Sequence, residues 1–374
     1  MENILIDYSQ IPINRTGVGI YAYNLIDQIL KIDNNNKYFI LVQNDDSSLE
    51  KYASKNVHLL YVNHKLWRIF ILRFFLEQFF IPLLLVKKNI SIIHSLHYSF
   101  PLFKFKAKRI VTIHDMTFFL FPGVHVRLKT WYFRTFIWLA SKMEMQIICV
   151  SESTLNDLIR IIKLDKTKCF VIPLGKSDIF NSNYSVREIE DLKEKYNIKN
   201  DYLLFIGTIE PRKNIERLIR VFNEFLKLNY NYSLVIVGKK GWFFDEIFRL
   251  IELFNIKDKI IFTGFVLEEE KPILLNGCKI FIYPSLYEGF GVPVLEALSC
   301  GIPSITSNRS SMPEVAGDAA ILVDPENESD ILKAICLLLS DVNLYNLLKK
   351  RSIIQSKKFS WEKTASETLK LYKS

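Results

Sequence analysis

Ile280-Phe-Ile-Tyr283-Pro-Ser-Leu-Tyr-Glu288-Gly-Phe-Gly291-Val-Pro293-Val-Leu-Glu296-Ala-Leu-Ser-Cys300 reads as strand, loop and helix in direct succession. Its opening apolar run has the length and composition of a parallel strand buried on both faces. Pro293 suits the first turn of a helix, where its missing N–H costs nothing. Glu288 then falls on the loop at the strand's carboxyl end, and Glu296 about one turn into the helix.

The same unit recurs along all 374 residues. Short apolar runs predict strands at 3–6, 38–42, 58–62, 90–94, 109–113, 146–150 and 169–172, then at 202–206, 233–237, 260–263, 280–283, 304–306 and 320–323. Helical patterns fill the gaps at 20–32, 153–162, 185–196, 214–228, 242–254, 293–300, 329–339 and 361–372. Repeated β-α-β units imply an α/β protein with two doubly wound, Rossmann-like sheets, which take ligands at the carboxyl ends of their strands. The length suits two domains better than one core. The expected boundaries are 1–178 and 179–358, with the helix from about 359 to 374 packing back on the first domain and a ligand cleft between the two.

Charge divides along the same line. The chain carries 49 Lys/Arg and 40 Asp/Glu, and the whole surplus lies in residues 1–180, which hold 23 basic and 14 acidic side chains. Residues 181–374 hold 26 of each. A general affinity for polyanions is therefore not implied, and no nucleic-acid-binding motif accompanies the basic residues.

Three further segments carry chemistry. Arg15-Thr16-Gly17-Val18-Gly19 is a glycine turn opening a helix, but it stands too far from the first strand for a dinucleotide fingerprint. Its backbone N–H groups and helix dipole still suit a diphosphate. His114-Asp115 follows a strand directly, at its ligand-facing end. Gly207 ends another strand, and Arg212-Lys213 follow at a helix start, two fixed cations suited to a pyrophosphate. Glu288 and Glu296 are spaced to meet hydroxyls on two different rings, with the Phe290–Val292 backbone free for an anion between them. That arrangement suits a sugar nucleotide. A glycoside hydrolase would need both carboxylates at one bond.

These residues resemble glycosyltransferase family 4, the retaining GT-B enzymes, and within it the bacterial mannosyltransferases of surface-polysaccharide assembly. The resemblance spans nearly the whole chain, and the Glu-x7-Glu and Gly-x4-Arg-Lys segments carry most of its specificity. It implies that Arg212 and Lys213 hold the donor diphosphate, assisted by backbone at Gly17, Gly19, Gly207, Phe290, Gly291 and Val292. It further implies that Glu296 binds the ribose, Glu288 the transferred sugar, and the Gly264-Phe265-Val266 turn the base, with His114 beside the reacting carbon. The implied activity is transfer of a hexose, mannose from GDP-mannose in the first instance, to a polyprenyl-diphosphate-linked oligosaccharide in O-antigen or capsule synthesis. UDP-glucose, UDP-galactose or UDP-N-acetylglucosamine as donor, a nucleotide-sugar 2-epimerase and a non-catalytic membrane scaffold are the alternatives. No cofactor is expected, and no metal, since the sequence contains no Asp-x-Asp.

The basic surplus concentrates between Leu59 and Arg134, interleaved with aromatics. Trp67, Arg68, Arg73, Lys87 and Lys88 predict a surface that meets the anionic inner leaflet of a membrane. Leu66–Val86 itself is too interrupted by charge and Pro82 to span one. Five scattered cysteines without CxxC spacing and an N-terminus lacking a signal-peptide pattern lead to the expectation of a cytoplasmic protein, peripherally attached.

Overall fold

A computed structural model describes residues 1–13, 15, 17–103, 105–239 and 244–374; Thr16, Lys104 and Trp242 of the segments above lie outside them. The chain forms two compact units, Met1–Gly175 with Trp361–Ser374, and Lys176–Ser360.

The first unit holds seven strands: β1 (Asn3–Asp7), β2 (Lys37–Gln43), β3 (Val57–Val62), β4 (Ile92–Ser95), β5 (Lys108–Ile113), β6 (Gln146–Cys149) and β7 (Cys169–Val171). They pair in the order β3-β2-β1-β4-β5-β6-β7, every pair parallel. The chain winds one way from β1 to β3 and the other way from β4, so the order reverses between β1 and β4. The helix Trp361–Lys373 packs on the helix Val18–Ile32. Its Tyr372 hydroxyl lies 2.7 Å from His94 Nδ1, while His94 Nε2 meets Thr112 Oγ1 at 2.9 Å. Burial, with the neighbouring His114 in support, pushes His94 down to about 3, so this contact is made by a neutral ring.

The second unit holds β8 (Tyr202–Ile206), β9 (Ser233–Val237), β10 (Ile260–Gly264), β11 (Ile280–Tyr283), β12 (Ser304–Ser307) and β13 (Ala320–Val323). Their order is β10-β9-β8-β11-β12-β13, again all parallel, with the reversal between β8 and β11. β8, β9, β11 and β12 are buried throughout, which is why they read as unbroken apolar runs. Beyond β8 and β9 the chain ends approach so closely that a Cβ on Gly238 would stand 1.9 Å from the Gly207 carbonyl oxygen.

Several helix starts differ from the sequence reading by a cap. Ser185 is the N-cap of Val186–Lys195, in a capping box with Glu188. Asn214 caps Ile215–Lys227 in a left-handed conformation, and its amide donates to Pro284 O and Pro325 O at 3.1 and 2.6 Å. Leu66–Val86, read as one apolar stretch, is broken into His64–Trp67, Phe70–Phe75, the π-helical turn Leu76–Phe80 and Ile81–Lys87. Among the described residues no single helix is long and apolar enough to cross a membrane.

Candidate active site

The carboxyl ends of β8 and β11, where the second sheet reverses, bring Arg212, Lys213 and Glu288 together. After β8 a single turn of 3₁₀ helix, Pro211–Lys213, presents the two cations. After β11 the loop folds back so that Leu286 N donates to Arg212 O at 2.7 Å. Arg212 Nη1 donates to Glu288 Oε2 at 2.8 Å and to Tyr287 O at 3.0 Å, and its Nε pairs with Glu210 at 2.6 Å. Lys213 Nζ donates to Glu288 Oε1 and to the Tyr283 hydroxyl. Ser285 Oγ and the Tyr283 hydroxyl add bonds to the same Oε1 at 2.7 and 3.0 Å.

Sequence reading treats the two cations as open to an anion and Glu288 as open to a sugar. In the structure the three side chains bond one another. Oε1 of Glu288 accepts from three groups, so a substrate hydroxyl would meet Oε2. The carboxylate also fixes both cations, which are the kind of rigid positive pair that phosphate recognition needs. Burial pushes the Glu288 carboxyl up, but Arg212 and Lys213 outweigh it and hold the group at about 2. Lys213, 6% exposed, is moved below its ordinary value by burial and by Arg212, with Glu288 opposing.

Past Glu288 the loop is tied down by Ser311 Oγ, which donates to Glu288 O and Phe290 O at 3.0 and 2.7 Å. Gly291, at φ +103°, is the N-cap of the helix Val292–Ser299, and a Cβ there would meet Met312 Cε at 2.1 Å. Glycine is therefore required for the backbone angle, and any side chain there would also displace the end of Met312. Pro293 occupies the first turn as its sequence position implies. Phe290 is buried edge-on against Phe359, so it offers backbone rather than ring to a ligand.

Glu296 lies on that helix, 5% exposed. Burial pushes its carboxyl up to about 8, opposed by Lys271, whose ammonium pairs with Glu268 at 2.5 Å. It thus differs sharply from Glu288: two glutamates one motif apart, one ionised and clamped, the other held largely as the neutral acid. Val266 is buried, whereas Phe265 is exposed and stacks under Lys239 Nζ at 4.7 Å. A flat group meeting this turn would find Phe265 and backbone, not the Val266 side chain. Tyr283, Ser285 and Lys271 escaped sequence reading, because hydroxyls inside a strand-loop run and a lysine at a helix start carry no local signature.

In the first unit, His114 follows β5. Its Nε2 lies 2.9 Å from Leu96 O, and a carbonyl can only accept, so the proton is on Nε2 and Nδ1 is a bare acceptor. Burial lowers its pKa, with the Leu96 bond and Asp115 opposing, and edge-to-face contact with Tyr21 at 4.8 Å fixes the ring. Asp115 does not bond His114; its Oδ1 accepts from Thr117 N and Oγ1 at 2.9 and 2.6 Å. Gly17, at φ +47°, is the N-cap of Val18–Ile32, and a Cβ there would meet nothing within 4 Å. Gly19 lies in that helix's first turn.

Two of the residues predicted to meet a membrane are withdrawn from the surface. Trp67 is 3% exposed and packs in a core cluster, so it cannot enter a headgroup layer. Arg73 is also withdrawn, its guanidinium 3.3 Å from the buried Glu77. Arg68 pairs with Asp45 at 2.7 Å while remaining half exposed, Lys87 is exposed and Lys88 partly so. In place of Trp67 stand Leu66, Ile69, Ile71, Phe75, Phe79, Leu83 and Val86, each roughly half exposed or more. Leu66, Leu72, Phe75, Phe79 and Leu83 line an open apolar groove of about 490 Å³. On the helix Arg127–Lys142, Trp131 is 68% exposed.

Comparison with known proteins bears on the family and the fold. Residues 187–355 match the glycosyl transferases group 1 family and residues 15–176 match glycosyltransferase family 4. The chain is 32% identical over 268 residues to the O-antigen chain mannosyltransferase B of Escherichia coli, covering 71% of this chain and 70% of that protein. It is 35% identical over 223 residues to the serotype-specific mannosyltransferase WbdA of Escherichia coli, covering 59% of this chain and 27% of that longer protein. The sucrose-phosphate synthase structure from Thermosynechococcus elongatus superposes with a TM-score of 0.79 over 100% of this chain and 98% of that one, at 18% identity, which shows a shared fold. With two Rossmann-like sheets and both family matches, the chain belongs to the group 1 and family 4 glycosyltransferases of the GT-B fold.

Proposed function

We propose that this glycosyltransferase moves a hexose, mannose from GDP-mannose, with retention of configuration onto a polyprenyl-diphosphate-linked oligosaccharide in surface-polysaccharide synthesis. The observation that carries the reading is the Arg212–Lys213–Glu288 clamp at the sheet's reversal point, in a chain 32% identical to an O-antigen mannosyltransferase. The clamp seats the donor diphosphate, Glu296 takes the ribose hydroxyls, and backbone at Gly291, Val292 and the Val266 turn completes the donor contacts. The bond from the sugar C1 to the leaving phosphate oxygen breaks, the bond from C1 to the acceptor oxygen forms on the same face, and the acceptor proton passes to that phosphate oxygen. Charge on the departing nucleotide is met by Arg212 and Lys213, so the step requires no metal and no side-chain nucleophile. The bare Nδ1 of His114 accepts a hydrogen bond from the transferred sugar. Thermal shift with a panel of nucleotide sugars tests the donor: GDP-mannose is expected to stabilise the protein most, and a larger shift with UDP-glucose would reject the guanine reading.

Donor binding should depend on pH through Glu296. Ribose hydroxyls donate to the ionised carboxylate, whereas the empty site holds the acid up to about 8. Nucleotide binding therefore releases a proton and tightens as pH rises from 6.5 toward about 8, then levels off. Titration calorimetry with GDP in buffers of different ionisation enthalpy measures this directly. Glu296→Gln should remove the proton release; a wild type whose affinity falls over that range would contradict the assignment.

Attachment to an anionic membrane rests on the apolar face from Leu66 to Val86 with its basic edge. Vesicles containing phosphatidylglycerol should bind the protein at low salt. Reversing Arg68, Lys87 and Lys88 to Glu removes attraction of roughly 1 kcal/mol per charge and should weaken binding at least tenfold. Equal binding by the triple variant would reject the surface.

A further inference from the structure

The first unit has its own buried polar cluster where its sheet reverses, between β1 and β4, and the donor site does not use it. Open α/β sheets bind ligands at such points. Asp7 ends β1, Gln10 follows it, and His97 and Ser99 follow β4. The π-helical turn Leu76–Phe80 delivers Glu77 to the same place, and π-helical turns are frequent at functional positions. Glu77 is completely buried. Its Oε1 accepts from Gln10 Nε2 at 2.9 Å and faces Arg73 at 3.3 Å, and its Oε2 accepts from the Tyr132 hydroxyl at 3.2 Å. Gln10 Nε2 also donates to Ser99 Oγ at 2.9 Å. Burial, with Arg73 opposing, pushes the Glu77 carboxyl up to about 7, and burial raises Asp7 as well.

Three atoms in this cluster remain unsatisfied, among them the donor Arg73 Nε. Gln10 commits its amide nitrogen to Glu77 and Ser99, which leaves Oε1 as a buried acceptor without a partner; His97 Nδ1 is likewise buried and unpartnered. A buried polar atom left without its bond is costly, so a group that supplies these bonds is favoured there. What it must supply is hydroxyl hydrogen bonds. A neutral group is favoured, because Arg73, the cation of this cluster, is already paired with Glu77 and offers no uncommitted charge to a phosphate.

We propose that Gln10 and His97 hold hydroxyl groups of a neutral acceptor sugar, with Glu77 and Ser99 positioning the Gln10 amide so that Oε1 is presented to it. The proposal rests on the glycosyltransferase reading above and adds to it the residues and the charge class of the acceptor. Two variants test it. Gln10→Ala removes a partly exposed loop side chain, and His97→Phe keeps the ring packing on Tyr98 and Phe133 while deleting Nδ1. Binding of methyl α-D-mannopyranoside and of α-D-mannose 1-phosphate is followed by saturation-transfer NMR, and GDP binding by calorimetry. The glycoside is expected to bind wild type better than the sugar phosphate, and each variant to weaken it at least tenfold with GDP affinity unchanged. Glycoside binding untouched in both variants, preference for the phosphate, or no glycoside binding by a wild type that binds GDP would overturn the acceptor site alone. A wild type that binds no nucleotide at all would overturn the functional reading beneath it.

Discussion

Lys213→Ala is expected to lower turnover by roughly a hundredfold or more, the scale of losing one fixed donor to a developing oxyanion. The side chain is buried and held by Glu288 and Tyr283, so its charge is placed before substrate arrives and needs no reorganisation during the reaction. Removing it also leaves Glu288 with Arg212 as its one charged partner, which weakens the clamp for the remaining cation. Steady-state kinetics with GDP-mannose, read as GDP release, check this. Turnover near wild type would show that Lys213 is a structural ion pair and does not serve the leaving diphosphate.

Glu288→Ala should damage both fold and catalysis. It strands Arg212 and Lys213 in a buried site without their counter-charge, a change that costs about 3–5 kcal/mol for a buried pair broken on one side. Urea denaturation at neutral pH measures that loss. The pH dependence gives a second signature. A carboxyl lowered from 4.5 to about 2 contributes stability that is complete above 4.5 and is lost as pH falls toward about 2, so wild type and variant should converge in acid. A constant stability difference from pH 7 to pH 2.5 would show that the charge of Glu288 is not what stabilises the loop.

Strands were legible because parallel strands buried on both faces leave unbroken apolar runs: Tyr202–Ile206, Ser233–Val237 and Ile280–Tyr283 have the bounds that their composition implies. Helices were legible where an apolar stripe or a proline marked them, as at Val292–Ser299. Val342–Ser356 lacks a clean apolar stripe, with Leu348 buried and Ile354 exposed, and it left no periodic trace. The broken helices from His64 to Lys87 present apolar residues on both sides, so composition alone could not separate buried Trp67 from exposed Phe79.

In the candidate site, Arg212, Lys213, Glu288 and Glu296 were legible as charged residues at the carboxyl ends of strands. Their pairing was not, because the Glu288 clamp depends on two loops brought together only by the β8–β11 reversal. Glu77 was invisible for the opposite reason: in sequence it is one acidic residue interrupting an apolar stretch, and its burial against Gln10 and Tyr132 needs contacts 67 and 55 residues away.

Retaining, metal-independent transfer from a nucleoside diphosphate sugar has a direct test. NMR of the reaction with GDP-[1-¹³C]mannose and a mannose-terminated acceptor, in the presence of EDTA, follows donor, product anomer and nucleotide at once. An α-linked product formed in step with GDP is expected. A β-linked product, or a donor left unconsumed until a divalent metal is added, would contradict it.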